Sequence, residues 1–308
     1  MTTTFSLTIF GSASATPVHG RHPTAQILNV HDSLYLIDCG EGTQMRFNDF
    51  RVKRGRLSHI FISHLHGDHF YGLFGLLGTL SLGGRKDPMY IFGPRGIREC
   101  FEVVLRHSAN GEPMPFDIVW HEIDNTDTPY MLFENAALTV TTIPLQHRIP
   151  TVGYLFKEKP LPRNIIATKI TEYDINYTDI INIKNGKDYT LPNGTIIPNG
   201  ELTTPPPAPR TYAYCSDTMY VPSNVPQLAH VDLLYHEATF TAADADRTER
   251  TGHSTAAEAA AIAKAADVKR LIIGHFSSRY IDLQPSLLEA KAVFERTELA
   301  EEGRVFEV

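Results

Sequence analysis

The sequence lacks the features that would hold a chain in a membrane or cross-link it through disulfides. It has no run of about 18 apolar residues, so no membrane-spanning helix is predicted. Its start, Met1 to Phe5, has no basic segment leading into an apolar core, and we expect no secretory signal. The three cysteines, Cys39, Cys100 and Cys215, form no Cys-x-x-Cys pair. This predicts free thiols in a reducing cytoplasm and no cysteine zinc site.

Positive charge is also scarce. The chain has 28 Lys and Arg against 35 Asp and Glu, a net charge of −7. Proteins that bind nucleic acids usually carry excess Lys and Arg because these residues neutralise phosphates. A nucleic-acid partner would therefore need a local basic surface. Histidine, by contrast, is frequent, with 14 copies, and the positions of these residues decide which of them matter.

Strand patterns alternate with helical patterns along most of the chain. Short apolar segments predict strands at 5–10, 24–30, 34–37 and 60–62, and again at 138–143, 212–216, 231–235 and 268–273. Residues 72–82 predict a buried helix. Thr255 and Glu258 form a capping box before an alanine-rich helix that reaches Ala266. The alternation indicates an α/β layered fold, with residues 1–308 in a single domain.

Residues 157–210 interrupt this pattern. They contain Asn-Gly pairs that begin at 185, 193 and 199, and three consecutive prolines at 205–207. Turn residues at this density predict a β-hairpin-like insertion, or arm, that projects from the domain. The arm has seven Lys or Arg against six Asp or Glu. It could contact RNA through Lys169, Lys184 and Lys187, act as a spacer, or form a dimer contact, and composition does not decide among these.

The segment His64-Leu65-His66-Gly67-Asp68-His69 is the strongest signal for chemistry. A tight loop after a buried strand can direct His64 and His66 at one ion, and Asp68 and His69 at a neighbouring ion. Nitrogen and oxygen ligands without thiolate suit Zn²⁺, with Mn²⁺ or Fe as substitutes. The alternative is a surface loop that is rich in histidine by chance.

A two-metal site needs more ligands than this loop supplies, including a carboxylate that bridges the ions. His147, Asp217 and His275 each follow a predicted strand. The carboxyl ends of strands are where sites assemble in α/β sheets. Each of these residues alone is most simply interpreted as a surface or capping residue, but together they complete a set of metal ligands.

The motifs in combination resemble those of a known enzyme family. They cover nearly the whole chain, at Asp38–Gln44, His66–His69 with the leucine-rich stretch to Leu77, Gly93–Gly96, Ser216–Thr218, His236–Phe240, His253–Thr255 and His275–Tyr280. The chain resembles the metallo-β-lactamase superfamily and, within it, ribonuclease Z. In the loop at 17–22 it departs from the family pattern, because His19 and His22 stand where Lys and Asn are usual.

The resemblance implies an αββα four-layer sandwich of the metallo-β-lactamase type with a projecting insertion, and two zinc ions per chain. It also implies which residues hold the ions: His64, His66 and His147 hold one, Asp68, His69 and His275 hold the other, and Asp217 bridges them. Asp38 resembles a buried carboxylate that orients the ligand loop. An Asp that forms a turn before Cys39-Gly40 is the alternative.

The resemblance further implies an endoribonuclease that hydrolyses a phosphodiester at the 3′ end of tRNA precursors and leaves a 3′-hydroxyl on the tRNA. Asp68 would act as general base, and His253 as general acid with Glu237 orienting it. From the residues alone, His253 could flank a helix and Glu237 could end a strand. Arg279 and Arg21 are candidate contacts to substrate phosphates.

A cytoplasmic homodimer with precursor tRNA as its substrate, and no membrane association, is expected on the same grounds. Another hydrolase on the same metal core, such as a lactonase, a thioesterase or a small-molecule phosphodiesterase, is the main alternative, because fold and metals do not determine the substrate. A non-enzymatic zinc- or RNA-binding module is disfavoured, since all ligands and the candidate acid are present.

Overall fold

The computed structural model describes residues 3–18, 20–108 and 112–308. His19, one of the two departures from the family pattern, lies outside these residues. The described chain divides into two compact units, one formed by residues 3–157 with 210–308 and the other by residues 158–209. None of the described helices combines the length and the apolarity needed to cross a membrane.

Both units contain strands and helices, which are numbered in chain order. The strands are β1 Phe5–Gly11, β2 Ala25–Val30, β3 Ser33–Cys39, β4 Leu57–Phe61, β5 Met89–Pro94, β6 Ile118–Ile123, β7 Met131–Glu134, β8 Leu138–Pro144, β9 Val152–Glu158, β10 Asn164–Ile165, β11 Tyr189–Thr190, β12 Ile196–Ile197, β13 Thr203–Thr204, β14 Thr211–Cys215, β15 Leu233–Glu237, β16 Arg270–Gly274, β17 Thr297–Leu299 and β18 Val305–Glu307. The helices are α1 Thr43–Asp49, α2 Gly67–Phe70, α3 Gly72–Leu82, α4 Ile97–Ser108, α5 Ala167–Glu172, α6 Tyr177–Lys184, α7 Asn199–Leu202, α8 Val225–Leu228, α9 Thr248–Thr251, α10 Ala256–Ala265 and α11 Gln284–Val293.

In the larger unit the described strands form two sheets of seven strands each. The first has the order β18-β1-β2-β3-β4-β5-β6, and the second has the order β17-β16-β15-β14-β9-β8-β7. Strands β3 to β6 run parallel to one another, as do β14 to β17. The carboxyl ends of each parallel set therefore meet at one edge of their sheet, where loops can bring side chains together.

Two apolar cores hold four layers together. One face of the first sheet packs against α1, α3 and α4 through residues such as Phe10, Phe47 and Leu76. The other face meets the second sheet, where the ring centroids of Phe61 and Tyr154 lie 5.3 Å apart. Alanines of α10 cover the far side of the second sheet. The predicted αββα sandwich is confirmed.

Local signals in the sequence explain where several elements begin. The predicted helix at 72–82 is α3, with the same bounds. The capping box at Thr255 is present, because its hydroxyl accepts from the Glu258 N–H while the Glu258 carboxylate accepts from the Thr255 N–H. The predicted loop at 64–69 differs: Gly67–Phe70 forms the helical turn α2, which leads directly into α3.

The smaller unit, residues 158–209, is more helical than its turn residues indicated. It contains α5, α6 and α7, the pair β10–β13, and the hairpin β11–β12, which turns at Asn193-Gly194. Helix α6 is capped at its amino-terminal end by Asn176, whose side chain accepts from the Asp179 N–H. A small apolar cluster forms the centre of this unit, at Ile175, Ile183, Ile197 and Leu202.

Candidate active site

Polar side chains from the ends of both sheets meet beside one cavity of about 480 Å³, which is lined by His66, Asp68, Asp217 and His253 among others. The first sheet supplies the segment after β4 that contains His64 and His66. The second sheet supplies the residues after β8, β14 and β16, which are His147, Asp217 and His275. The structure thus brings together all seven ligand candidates of the larger unit, in groups whose ligand atoms lie within 4.8 Å of one another.

The first group consists of three imidazoles. His66 Nδ1 lies 3.0 Å from His64 Nε2 and 3.2 Å from His147 Nε2. His147 Nδ1 donates to the Gly252 carbonyl at 2.7 Å, which leaves Nε2 of that ring as the atom with a free lone pair. Gly252 has φ +75°, and a Cβ there would stand 2.7 Å from His147 Nδ1, so this position requires glycine.

The second group contains two imidazoles and a carboxylate. The Nε2 atoms of His69 and His275 are 3.2 Å apart, and Asp68 Oδ2 is 3.5 Å from each. Burial raises the pKa of Asp68, but the two neighbouring imidazoles outweigh it and hold the pKa well below its ordinary range. Asp68 is therefore ionised, and its Oδ2 also accepts from the Ala15 N–H at 2.7 Å.

Asp217 stands between the two groups, and each of its oxygens faces one of them. Oδ1 lies 3.1 Å from His275 Nε2 and 3.3 Å from His69 Nε2. Oδ2 lies 3.5 Å from His64 Nε2 and 3.8 Å from His147 Nε2. Oδ1 is buried and makes no hydrogen bond with the described part of the chain. An ionised oxygen in that position calls for a cation.

These distances fit metal coordination. Ligand atoms about 2.0–2.1 Å from a tetrahedral zinc ion lie about 3.3 Å from one another. The separations within the two groups run from 3.0 to 3.8 Å. Without an ion between them, these close pairs of imidazoles would leave buried ring nitrogens without suitable hydrogen-bond partners. The site can therefore hold metal.

The ligands are held in turn by buried partners. Asp38, which is fully buried, accepts from His69 Nδ1 at 2.7 Å and from the Tyr214 hydroxyl at 2.5 Å. It also accepts from the backbone N–H and the hydroxyl of Ser63, at 2.7 and 2.8 Å. Asp38 lies within β3, not beyond it, and has φ +55°, a conformation that Asp tolerates better than most residues. On the opposite side, His275 Nδ1 is 2.9 Å from the Thr239 hydroxyl.

His253 and Glu237 form a hydrogen-bonded pair beside the two groups of ligand candidates. His253 Nδ1 donates to Glu237 Oε1 at 2.9 Å, and His253 lines the cavity. Burial lowers the pKa of His253, but the carboxylates of Glu237 and Asp217 raise it to about 9. Glu237 is fixed by further donors, since the N–H groups of Thr218 and Ser254 both reach Oε1 at 3.0 Å.

The arginines are distributed differently from the sequence-based expectation. Arg21 donates to the Tyr280 carbonyl at 2.7 Å, so its guanidinium holds the loop at 277–280. Arg279 is exposed, and neither arginine lines the catalytic cavity. Arg148, which no motif in the sequence singled out, does line it, beside His66 and Asp217. Its one signal in the sequence is its position directly after the ligand candidate His147.

Comparison with known proteins agrees with this geometry. The chain is 47% identical to the ribonuclease Z of Bacteroides fragilis over 299 residues, which cover 97% of each chain. It is 48% identical to the ribonuclease Z of Porphyromonas gingivalis over 298 residues, again 97% of each. The crystal structure of human tRNase Z, short form, superimposes with a TM-score of 0.71 at 28% identity, covering 98% of this chain and 99% of that one.

Two further matches bear on the fold. The metallo-β-lactamase fold protein YhfI from Bacillus subtilis superimposes with a TM-score of 0.70 at 20% identity, covering 99% of this chain and 100% of that one. The model of the family described as Anti-Pycsar protein Apyc1 matches residues 5–161, about half of the chain. The chain therefore belongs to the family that this model describes and, along nearly its whole length, to the ribonuclease Z family of the metallo-β-lactamase fold.

Proposed function

We propose that the protein is a zinc-dependent endoribonuclease that hydrolyses a phosphodiester at the 3′ end of tRNA precursors and leaves a 3′-hydroxyl on the tRNA. One observation carries the proposal: two groups of candidate metal ligands meet at Asp217 beside the His253–Glu237 pair. His66, Asp68, Asp217 and His253 open this arrangement to one cavity. A small-molecule phosphodiesterase or lactonase would use the same ligands, and the substrate assay described below separates these activities.

The donor set fits two zinc ions. His64, His66 and His147 would hold one, and Asp68, His69 and His275 would hold the other. Asp217 would reach both through its separate oxygens. When bound, the ions would lower the pKa of the attacking water and neutralise charge on the phosphate oxygens. Mn²⁺ or Fe would suit the same nitrogen and oxygen donors.

The protein's own groups would move the protons. Asp68 would accept a proton from the attacking water as the bond from water oxygen to phosphorus forms. The bond from phosphorus to the ribose 3′-oxygen breaks, and His253 would give its proton to that oxygen. Glu237 would hold the imidazole of His253 in the tautomer and orientation that transfer requires, as the buried carboxylate does in a catalytic triad.

Arg148 would contact the substrate phosphate. Its side chain is exposed at the cavity and forms no ion pair or hydrogen bond with the described residues. A guanidinium with open donors beside carboxylates and imidazoles suits a bidentate contact to phosphate. Arg21 and Arg279 remain candidates for contacts farther along the RNA.

A local basic surface would offset the net charge of −7. Helices α1 and α3 pack on each other, and their amino-terminal ends adjoin Glu41 and Tyr71 of the cavity. The segments beyond their carboxyl-terminal ends carry a basic cluster, which consists of Arg51, Lys53, Arg54, Arg56, Arg85 and Lys86. Arg56 is paired with Asp32, and Arg85 donates to three backbone carbonyls. Arg51, Lys53 and Lys86 are exposed and are the best candidates for phosphate contacts.

The arm at 157–210 is the second candidate for RNA contact. Its Lys169 lies 2.8 Å from Glu172, so part of its charge is already neutralised. Replacing Arg51, Lys53 and Lys86 together with Gln should therefore reduce the salt dependence of tRNA binding by about 2–3 units. Replacing Lys169, Lys184 and Lys187 with Ala should reduce it less. If the substitutions in the arm reduce the salt dependence more, the arm makes the larger share of the phosphate contacts.

We also propose that the chain works as a cytoplasmic homodimer. Free buried thiols at Cys39 and Cys215 suit a reducing compartment. Sedimentation of the zinc-loaded protein would measure the oligomeric state, and a monomer at all concentrations would contradict the dimer.

An assay with a 3′-extended tRNA precursor tests the main proposal. The zinc-loaded protein should release a tRNA with a 3′-hydroxyl and a trailer with a 5′-phosphate. His253→Ala should lower kcat for RNA by on the order of 10²-fold. It should affect bis(p-nitrophenyl) phosphate far less, because that leaving group needs no proton. Asp68→Ala should damage both reactions.

The control is His230→Ala, whose ring is 78% exposed and lies 3.3 Å from the Asp267 carboxylate at the surface. It should leave both substrates unaffected. Hydrolysis of bis(p-nitrophenyl) phosphate without cleavage of any tRNA precursor would favour the small-molecule phosphodiesterase. Hydrolysis of lactones alone would favour the lactonase.

A further inference from the structure

The catalytic cavity has an apolar rim that the proposed chemistry does not use. Tyr71 is 61% exposed and lines the cavity together with Pro17 and Pro23. His66, Asp68, Asp217 and His253 line the same cavity on its polar side. The cavity therefore combines a polar floor for an anion with an apolar rim for a flat, weakly polar group. A nucleotide has these same two parts, a phosphate and a base.

The ring of Tyr71 is held in place without being buried. A Cβ on Gly67 would stand 2.3 Å from Tyr71 Cε2, so the ring lies directly against the glycine backbone. The centroid of the Phe70 ring is 5.1 Å away. A glycine at 67 allows this contact, and any larger residue would displace the ring. Most of the ring surface nevertheless remains open.

The position of Tyr71 along the chain ties it to the reacting phosphate. It is the C-cap of α2, the turn that carries Asp68 and His69. Asp68 and Tyr71 are three residues apart, which places them on the same face of the turn with an axial separation of about 4.5 Å. A base on this ring would therefore adjoin a phosphate held at the ligands.

We propose that Tyr71 is the stacking platform for the nucleobase next to the scissile phosphate. This proposal rests on the proposed RNA substrate. It makes Tyr71 a positioning residue, because the ring fixes the nucleotide so that the phosphate meets the ligands in one orientation. Stacking on an aromatic ring accepts every base, because each base has a π face. The platform would thus orient the RNA without selecting its sequence.

A double-mutant cycle between protein and RNA tests this proposal. Tyr71→Leu removes the ring and keeps apolar bulk, and Tyr71→Phe keeps the ring. The substrates are a 3′-extended tRNA precursor and two copies with an abasic nucleotide on either side of the scissile bond. For the native protein, one of the abasic changes should lower kcat/KM by about 5- to 150-fold, the range for stacking one base on an aromatic ring.

Tyr71→Leu should show a similar loss on the intact precursor and little further loss on that abasic substrate, while Tyr71→Phe should match the native protein. Full, additive losses for Tyr71→Leu with both abasic substrates would overturn the proposal. So would a Tyr71→Phe variant as impaired as Tyr71→Leu. Zinc content, measured for all three proteins, checks that the ligand turn is intact.

A binding measurement separates this proposal from the proposed function. The adjacent base is replaced with 2-aminopurine, whose fluorescence falls when it stacks on an aromatic ring. Quenching by the native protein and by Tyr71→Phe, but not by Tyr71→Leu, supports the platform even if no cleavage occurs. Equal quenching by all three proteins would refute the platform even if the precursor is cleaved normally.

Discussion

The substitution Asp38→Asn isolates the electrostatic role of the carboxylate beneath the ligand turn. Its Oδ2 accepts from His69 Nδ1, from the Tyr214 hydroxyl and from the Ser63 hydroxyl, at 2.7, 2.5 and 2.8 Å. Asn has nearly the same shape and also tolerates the φ of +55° at this position. The main change is that an NH₂ group, which only donates, replaces an oxygen that accepts three hydrogen bonds.

The hydroxyls can adapt by rotating, but His69 cannot. If the Asn oxygen keeps the Ser63 N–H, the amide nitrogen faces His69 Nδ1, which must then become the acceptor. The imidazole proton moves to Nε2, the atom that faces Asp217 Oδ1 at 3.3 Å. A protonated Nε2 cannot bind metal. We expect a loss of about 10- to 100-fold in zinc affinity, or about 1.4–2.8 kcal/mol.

The assay is a competition titration of the metal-free variant against a chromophoric zinc chelator. Zinc binding at the group of Asp68, His69 and His275 should weaken more than zinc binding at the group of His64, His66 and His147. Asp267→Asn is a matched control, because Asp267 also has a positive φ, +48°, but is 74% exposed. Unchanged zinc affinity at both sites in Asp38→Asn, or an equal loss in Asp267→Asn, would refute the reasoning.

Three other predictions concern Asp217, Arg148 and the acid stability that His59 controls. Asp217→Ala should lose more than one zinc ion per chain by elemental analysis, since each of its oxygens faces one ligand group; full occupancy would remove the bridge. Arg148→Met should raise KM for precursor tRNA more than Arg279→Met does, and the reverse order would contradict the cavity assignment. Burial and the nearby His121 hold the pKa of His59 at about 4, against 6.5 when unfolded, so its stabilising contribution is present above pH 6.5 and is lost as pH falls toward 4. Relative to His59→Phe, the native protein should lose up to about 3 kcal/mol of unfolding free energy across that window in urea titrations, and parallel pH curves would disprove this.

Much of the fold was predictable because strand and turn signals in this chain are local. Strand β1 was predicted at 5–10 and runs Phe5–Gly11, and α3 has its predicted bounds. The helices of the smaller unit were missed, because the Asn-Gly turns dominate its sequence and hide the cap at Asn176. An Asn three residues before Asp179 was a usable signal for the start of a helix.

The meeting of the ligand candidates was predictable for a different reason. His147 and His275 lie far apart in sequence, but both follow strands of the second sheet, and the fold brings those loops together. Arg148 could not be singled out in this way. An arginine beside a ligand looks like any exposed arginine until the cavity that it lines is known.

The pair His236-Glu237 shows that a strand pattern in the sequence does not by itself tell which side chain faces the site. Both residues belong to β15, so their side chains leave the strand in opposite directions, and only one of them can face His253. His236 Nδ1 donates to the Glu237 carbonyl at 2.7 Å and is 3% exposed, whereas Glu237 reaches His253 at 2.9 Å. The strand was predicted at 231–235, two residues short of its end at Glu237. A shift of one residue in register would exchange the two side chains, so the choice of Glu237 depended on the resemblance to a family and not on the strand pattern.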